Sequence, residues 1–114
     1  MKVAIVGSRN YPELEKVREF IRTLPKNAII ISGGAKGVDQ AAEDEARKLG
    51  MEVISVPPEW DKYGRRAGLV RNDMIVAIAD CVVAFWDGVS RGTKYTIDKA
   101  KEKNVITQVF NVVN

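Results

Sequence analysis

A parallel β-sheet wound with helices on both faces is what this sequence predicts, and three observations predict it. Five short, β-branched apolar runs recur along the chain, segments of helical spacing lie between them, and glycines gather just after the runs. Strands buried on both faces read as continuous apolar runs, and strands separated by helices pair in parallel through right-handed crossovers. The expected architecture is a single-domain, doubly wound α/β protein over residues 1–114, with a five-stranded parallel sheet of order 3-2-1-4-5.

Each element has its own warrant. The runs Val3–Val6, Ala28–Ile31, Val53–Val56, Val82–Trp86 and Val105–Phe110 are the expected strands, the last an edge strand because Thr107 and Gln108 interrupt its apolar character. Leu14, Val17, Ile21 and Leu24 repeat at helical spacing, as do Val38, Ala41, Ala42, Ala46 and Leu49, with charged residues on the opposite faces. Ala67, Val70, Met74, Ala77 and Ile78 mark the core face of a third helix. Ile97 and Ala100 mark a short fourth, within Thr93 to Lys103. Gly50 and Asn104 stand where helices should stop.

Composition excludes several function classes. The chain has 114 residues, 46% hydrophobic and 29% charged, a globular balance with no apolar run of membrane-spanning length. The N-terminal apolar run is too short for a signal peptide and reads as the first strand, so a cytoplasmic protein is implied. The single Cys81 opens a strand, which excludes disulfides and thiolate metal clusters, and there is no histidine, which excludes Ser-His and Cys-His pairs and the common zinc sites. No metal site is expected, and any chemistry must run on carboxylates, hydroxyls, Lys, Arg or a ligand-borne metal.

The most informative segment is Ser32-Gly33-Gly34-Ala35-Lys36-Gly37-Val38-Asp39, where a strand passes through a glycine cluster directly into a helix. Such a turn can close backbone N–H groups around an anion at the positive end of the helix dipole, or it can be a tight strand-to-helix connection with no ligand. It matches neither the Walker pattern nor a full G-x-G-x-x-G. In a parallel sheet every loop that follows a strand opens on one edge, and ligands bind there where the winding reverses. That edge collects Arg9, Lys36, Lys62, Arg65, Arg66, Arg71, Arg91 and Lys94 against Asp39, Glu59, Asp61 and Asp87, so its mouth is net positive.

The other loops add candidates. Gly7-Ser8-Arg9 follows the first strand and offers a guanidinium to a phosphate or carboxylate. Asp87 to Thr93 is a second glycine-containing turn, with Gly88 and Gly92, that enters a helix with Thr93 at or near its N-cap. Pro57 to Gly68 is long and without a regular pattern. It joins Trp60 and Tyr63 to five charged groups, as a lid that stacks on a base would, or as a segment whose aromatics pack over the sheet edge. Arg71 and Asn72, near the start of the third helix, point into the crevice or into solvent.

Gly7-Ser8-Arg9, Ser32 to Asp39, Trp60 to Gly64, Ala67 to Asn72, Met74, Asp87-Gly88 and Gly92-Thr93 together resemble, over nearly the whole chain, the SLOG superfamily of Rossmann-like nucleotide-binding proteins. The nearest resemblance is to the small YspA-type subgroup related to YpsA. The Ser32–Asp39 segment is also similar to the DNA-processing protein A (DprA/Smf) family, and the Gly92-Thr93 turn to the lysine-decarboxylase-like LOG enzymes. The resemblance implies a Rossmann-like fold and a nucleotide-derived ligand, which could bring Mg2+ on its phosphates.

The expected function is binding of a nucleotide or nucleotide derivative at the carboxyl edge, between strands one and four. Ser32, Gly33, Gly34, Ala35, Gly37, Gly88, Gly92 and Thr93 would hold phosphate or ribose, with Gly7, Ser8 and Asn72 beside them. Arg9, Arg71 and Arg91 would neutralise charge, Asp39 or Asp87 would accept from a ribose hydroxyl, and Trp60 or Tyr63 would stack on the base. Two rivals accompany it. One is hydrolysis of a nucleotide N-glycosidic bond, as the LOG resemblance implies, with Asp39 and Asp87 as candidate carboxylates. The other is binding of single-stranded DNA, from the DprA resemblance, the pI near 9.1 and the basic mouth. Against hydrolysis, Thr96 stands where the LOG motif has its glutamate, and Asp98, two residues on, is turned roughly 200° away on a helix. The helical faces leave room for a homo-oligomer.

Overall fold

The structure is a computed structural model and describes residues 1–112. Strands β1 (Lys2–Gly7), β2 (Ile29–Ser32), β3 (Glu52–Ser55), β4 (Cys81–Trp86) and β5 (Ile106–Asn111) form one sheet of order β3-β2-β1-β4-β5. Every pairing is parallel, so the expected Rossmann-like order 3-2-1-4-5 is the observed one. Helices α1 (Leu14–Thr23), α2 (Val38–Lys48), α4 (Ala67–Ile78) and α5 (Arg91–Glu102) connect the strands, with a one-turn α3 (Trp60–Tyr63) and a 3-10 turn, Gly64–Arg66, ahead of α4.

Alternation along the central strands divides the core into two layers. Val3 and Ile5 of β1, Ile30 of β2, and Val83 and Phe85 of β4 face α1 and α2, where Val17, Ile21, Val38, Ala42 and Ala46 are buried. Ala4, Val6, Ile31, Val82 and Ala84 face the other way, onto Ile75 and Val76 of α4 and Ile97 and Ala100 of α5. Because α1 and α2 lie on one face and α4 and α5 on the other, the winding reverses between β1 and β4. Those two strands pair from Val3↔Cys81 to Gly7↔Phe85 and end level, and their outgoing loops then part toward opposite faces.

Three expectations are corrected. In the third helix only Ala67 of the expected face is buried. Ile75 and Val76 supply the rest of the core contact, while Met74, Ala77 and Ile78 face out. That helix is apolar on nearly every side, so its spacing does not select a face. The fourth helix begins at Arg91, and its N-cap is Ser90, whose Oγ accepts from the Thr93 N–H. Thr93 is therefore the third residue inside the helix and not its cap. The segment Pro57 to Gly68, expected to be irregular, carries α3 and the 3-10 turn.

Candidate functional site

The parting loops leave a crevice of about 950 Å³ on the carboxyl edge of the sheet. Gly7, Ser8, Arg9 and Asn10 line it from β1, Gly33 to Lys36 and Asp39 from β2 and α2, Trp60 and Arg65 from the segment after β3, Arg71 and Asn72 from α4, and Asp87, Ser90, Gly92 and Thr93 from β4 and α5. Four basic side chains, Arg9, Lys36, Arg65 and Arg71, stand against two acidic ones, Asp39 and Asp87. A volume of this size lies within the range of small-ligand clefts.

The loop after β1 is held by its own hydrogen bonds. The Ser8 N–H donates to the Phe85 carbonyl at 3.1 Å, and its buried hydroxyl accepts from the Asp87 N–H at 3.2 Å, stitching the β1 and β4 loops across the switch point. Asp87 Oδ1 in turn accepts from the N–H groups of Val89 and Ser90, each at 2.8 Å. Those two amides, Ser90 first, hold the Asp87 carboxyl below its ordinary range, so it is a poor base.

The glycine turn is ordered from inside. Gly37 takes φ +84° and backs onto the chain at Arg9, where a Cβ would stand 2.5 Å from the Arg9 carbonyl oxygen. The Gly34 N–H donates to Ser32 Oγ at 3.3 Å, and the Ala35 N–H donates to Asp39 Oδ2 at 3.2 Å. Asp39 is 7% exposed, and burial above all pushes its carboxyl up to about 6, opposed by the Ala35 amide and by the Arg71 guanidinium. Arg71 reaches the same turn from α4, its Nη1 donating to the Gly33 carbonyl at 2.8 Å, while its buried Nε has no hydrogen-bond partner among the described residues. Burial lowers the Arg71 pKa, Asp39 raises it, and Arg9 nearby lowers it further.

Of the sequence-derived site residues, Ser32, Gly37, Tyr63, Gly88 and Arg91 do not line the crevice. Ser32 is buried beneath the turn, and Tyr63 turns its ring under Lys62 Nζ, 5.2 Å from the centroid. Trp60 does line it and is 56% exposed. Ser55, Asn10 and Ser90 also reach the crevice, and sequence reasoning did not single them out as site residues. Ser90 had a usable signal, because a serine three residues ahead of Thr93 fits an N-cap. Asn10 follows Arg9 in the loop after β1 and reaches the crevice with it, whereas Ser55 enters through sheet register, level with Ser32 at the end of β3. Thr96 lies in the crevice wall, buried, with its hydroxyl donating to the Gly92 carbonyl at 3.0 Å.

Among the described residues no group of three or more His, Cys, Asp or Glu side chains could hold a metal ion, and no helix is long and apolar enough to cross a membrane.

Comparison with known proteins follows this geometry. The family model for DNA recombination-mediator protein A matches residues 1–59. The Gene 61 protein of Mycobacterium phage D29 is 31% identical, with 91% of each chain covered. The X-ray structure of DNA processing protein A from Streptococcus pneumoniae superposes with a TM-score of 0.81 at 26% identity, over 99% of this chain and 50% of that one. DNA processing protein A from Helicobacter pylori, whose structure describes its single-stranded DNA binding mode, superposes at 0.66 and 22% identity, over 96% of this chain and 64% of that one. The chain thus spans about half to two thirds of the length of these two proteins, and at 22% identity the second likeness concerns the fold.

Proposed function

The chain belongs to the DNA recombination-mediator protein A family, and on that premise we propose that it binds single-stranded DNA, seating nucleotides of the strand in the carboxyl-edge crevice. The observation that carries the reading is the crevice wall itself, in which Arg9, Lys36, Arg65 and Arg71 offer cations to consecutive phosphates beside the exposed indole of Trp60. A single strand presents base faces to such an indole, and a duplex keeps them stacked. Arg71 neutralises a phosphate near Gly33, and Trp60 stacks on a base at the outer end. The fold contributes the rest by parting the β1 and β4 loops.

A second reading, binding of a free nucleotide, is favoured by the volume of the crevice at the switch point, which suits one nucleotide as well as a segment of strand. It is the reading that the SLOG and YspA-type resemblance implies. Hydrolysis is not part of the proposal, because the Thr96 hydroxyl is spent on a backbone carbonyl and Asp87 is held by two amides.

Salt dependence separates the two. Binding of oligo-dT and of dTMP is measured over a range of ionic strength; a strand touching all four cations should give a log–log slope approaching about −2.8, at about −0.7 per contact, while dTMP responds weakly. Oligo-dT that binds no more tightly than dTMP, with the same shallow slope, would return the free nucleotide to first place.

A further inference from the structure

The inner donors of the glycine turn are already in use. A turn that cradles a phosphate aims its amides at the ligand. Here the Ala35 N–H is given to Asp39 Oδ2 at 3.2 Å, the Gly33 amide adds a weaker contact to the same carboxylate, and the Gly34 N–H goes to Ser32 Oγ. Asp39 comes from the first turn of α2, lines the crevice, and lies where the strand-to-helix connection would otherwise present those amides.

The charged groups around Asp39 do not cancel it. Glu43, one turn further along α2, accepts from Arg47 Nη2 at Oε1, 2.9 Å away, and its buried Oε2 has no hydrogen-bond partner among the described residues. Arg71 faces Asp39 from α4 and favours its charged form, which burial outweighs, while its Nη1 donates to the Gly33 carbonyl. Arg9, from the loop after β1, and Lys36, on the turn, share the same crevice wall. Among the described residues no ion pair includes Asp39.

We propose that the Asp39 carboxylate is an internal plug of the glycine turn: it holds the amides that a phosphodiester of the bound strand would take, and the phosphodiester enters the turn once Asp39 is neutral. The inference rests on the reading that the crevice takes a DNA strand, and it adds the regulation of that site. Its operating range follows from burial, which pushes Asp39 up to about 6. The chain has no histidine, so no other side-chain type ordinarily changes charge between about pH 5 and 8. The α-amino group lies at the opposite end of β1 from the crevice. Phosphodiesters and thymine keep their charge across the same interval, so oligo-dT is a probe that does not itself titrate there.

The test is calorimetric titration of oligo-dT at about pH 5 and about pH 8 at fixed ionic strength, for wild type and Asp39→Asn, with the Gly33 and Ala35 amides followed by NMR in labelled wild type. Wild type should bind on the order of tenfold more tightly at the lower pH, as expected for removing one like charge within about 10 Å in a partly buried site. Asp39→Asn should bind at both values as wild type does at the lower one. In wild type, oligo-dT should move the Ala35 amide at the lower pH and leave it in place at the higher, a readout that needs no variant. Equal wild-type affinities with an unmoved Ala35 amide would overturn the plug and leave DNA binding standing. An Asp39→Asn protein that keeps the full pH dependence would overturn it as well. Absence of oligo-dT binding under every condition would remove both the plug and the binding reading beneath it.

Discussion

Arg71 Nη1 donates to the carbonyl oxygen of Gly33 at 2.8 Å, a bond between residues 38 positions apart that fastens the start of α4 to the turn after β2. The bond holds the guanidinium in the crevice wall, at the level of the turn. Arg71→Ala should destabilise the fold by about 1.5–3 kcal/mol, the usual range for a hydrogen bond to a charged group, as measured by urea denaturation. It should also make the oligo-dT salt slope shallower by about 0.7. A slope that stays the same in the folded variant would take Arg71 out of the phosphate contacts.

Two glycines should respond in opposite directions. Gly37 combines φ +84° with a backbone oxygen 2.5 Å from its Cβ position, and neither can relax by a rotamer change. Gly37→Ala should therefore cost about 2–4 kcal/mol from left-handed strain and overpacking. Gly92, in the first turn of α5, has nothing within 4 Å of its Cβ position, and Gly92→Ala should gain about 0.5–1 kcal/mol from backbone entropy. Denaturation midpoints of the two variants check the contrast, and a Gly37→Ala protein as stable as wild type would refute the close approach to Arg9.

Stability should fall as pH rises through the Asp39 titration. Burial raises the folded-state pKa to about 6, above the unfolded value, so the folded state binds the proton more tightly. This contribution is fully present below the unfolded pKa and is lost as pH climbs through about 6. Its full size is on the order of 3 kcal/mol. Other carboxylates impose their own pH dependence, so the measurement is the difference between wild type and Asp39→Asn across about pH 4 to 8. A difference that does not change with pH would show that the Asp39 carboxyl is not raised.

Trp60 is 56% exposed in the crevice wall, so its removal should leave the fold almost untouched while weakening DNA binding. Trp60→Ala should lose about 1–3 kcal/mol of oligo-dT affinity per stacked base. The second tryptophan, Trp86, is half-buried with its indole N–H donating to the Ser90 carbonyl at 3.0 Å, so fluorescence quenching by oligo-dT should vanish with Trp60. Quenching that persists in the variant would place the strand elsewhere.

Release of free base from nucleoside monophosphates should be slow. A positioned acid or base contributes about 10²- to 10⁴-fold, and here Thr96 is buried against Gly92 while Asp87 serves as a cap for Val89 and Ser90. Brisk turnover lost in Asp39→Asn or Asp87→Asn would make the protein a hydrolase.

The parallel sheet, the strand and helix alternation and the carboxyl edge as the place of the crevice were legible in the chain itself, because they follow from local periodicity and from the geometry of parallel crossovers. Val3 to Val6 and Val82 to Trp86 could be read as strands buried on both faces without any partner being known, and the glycine turn at Ser32 to Asp39 was visible as a break between two periods. Tertiary structure decided what the site's groups do. Only the approach of α4 to β2 gives the Arg71 guanidinium to Gly33, and only the level ends of β1 and β4 bring Ser8 to Asp87, 79 positions away. The same holds for α4, whose apolar residues surround it, so that packing, and not spacing, chose Ile75 and Val76 over Met74 and Ile78. Asp39 is the sharpest instance. Its place in the motif suggests a ligand contact, yet burial under the turn sets its charge and gives it the amides first, and burial is a property of the folded chain.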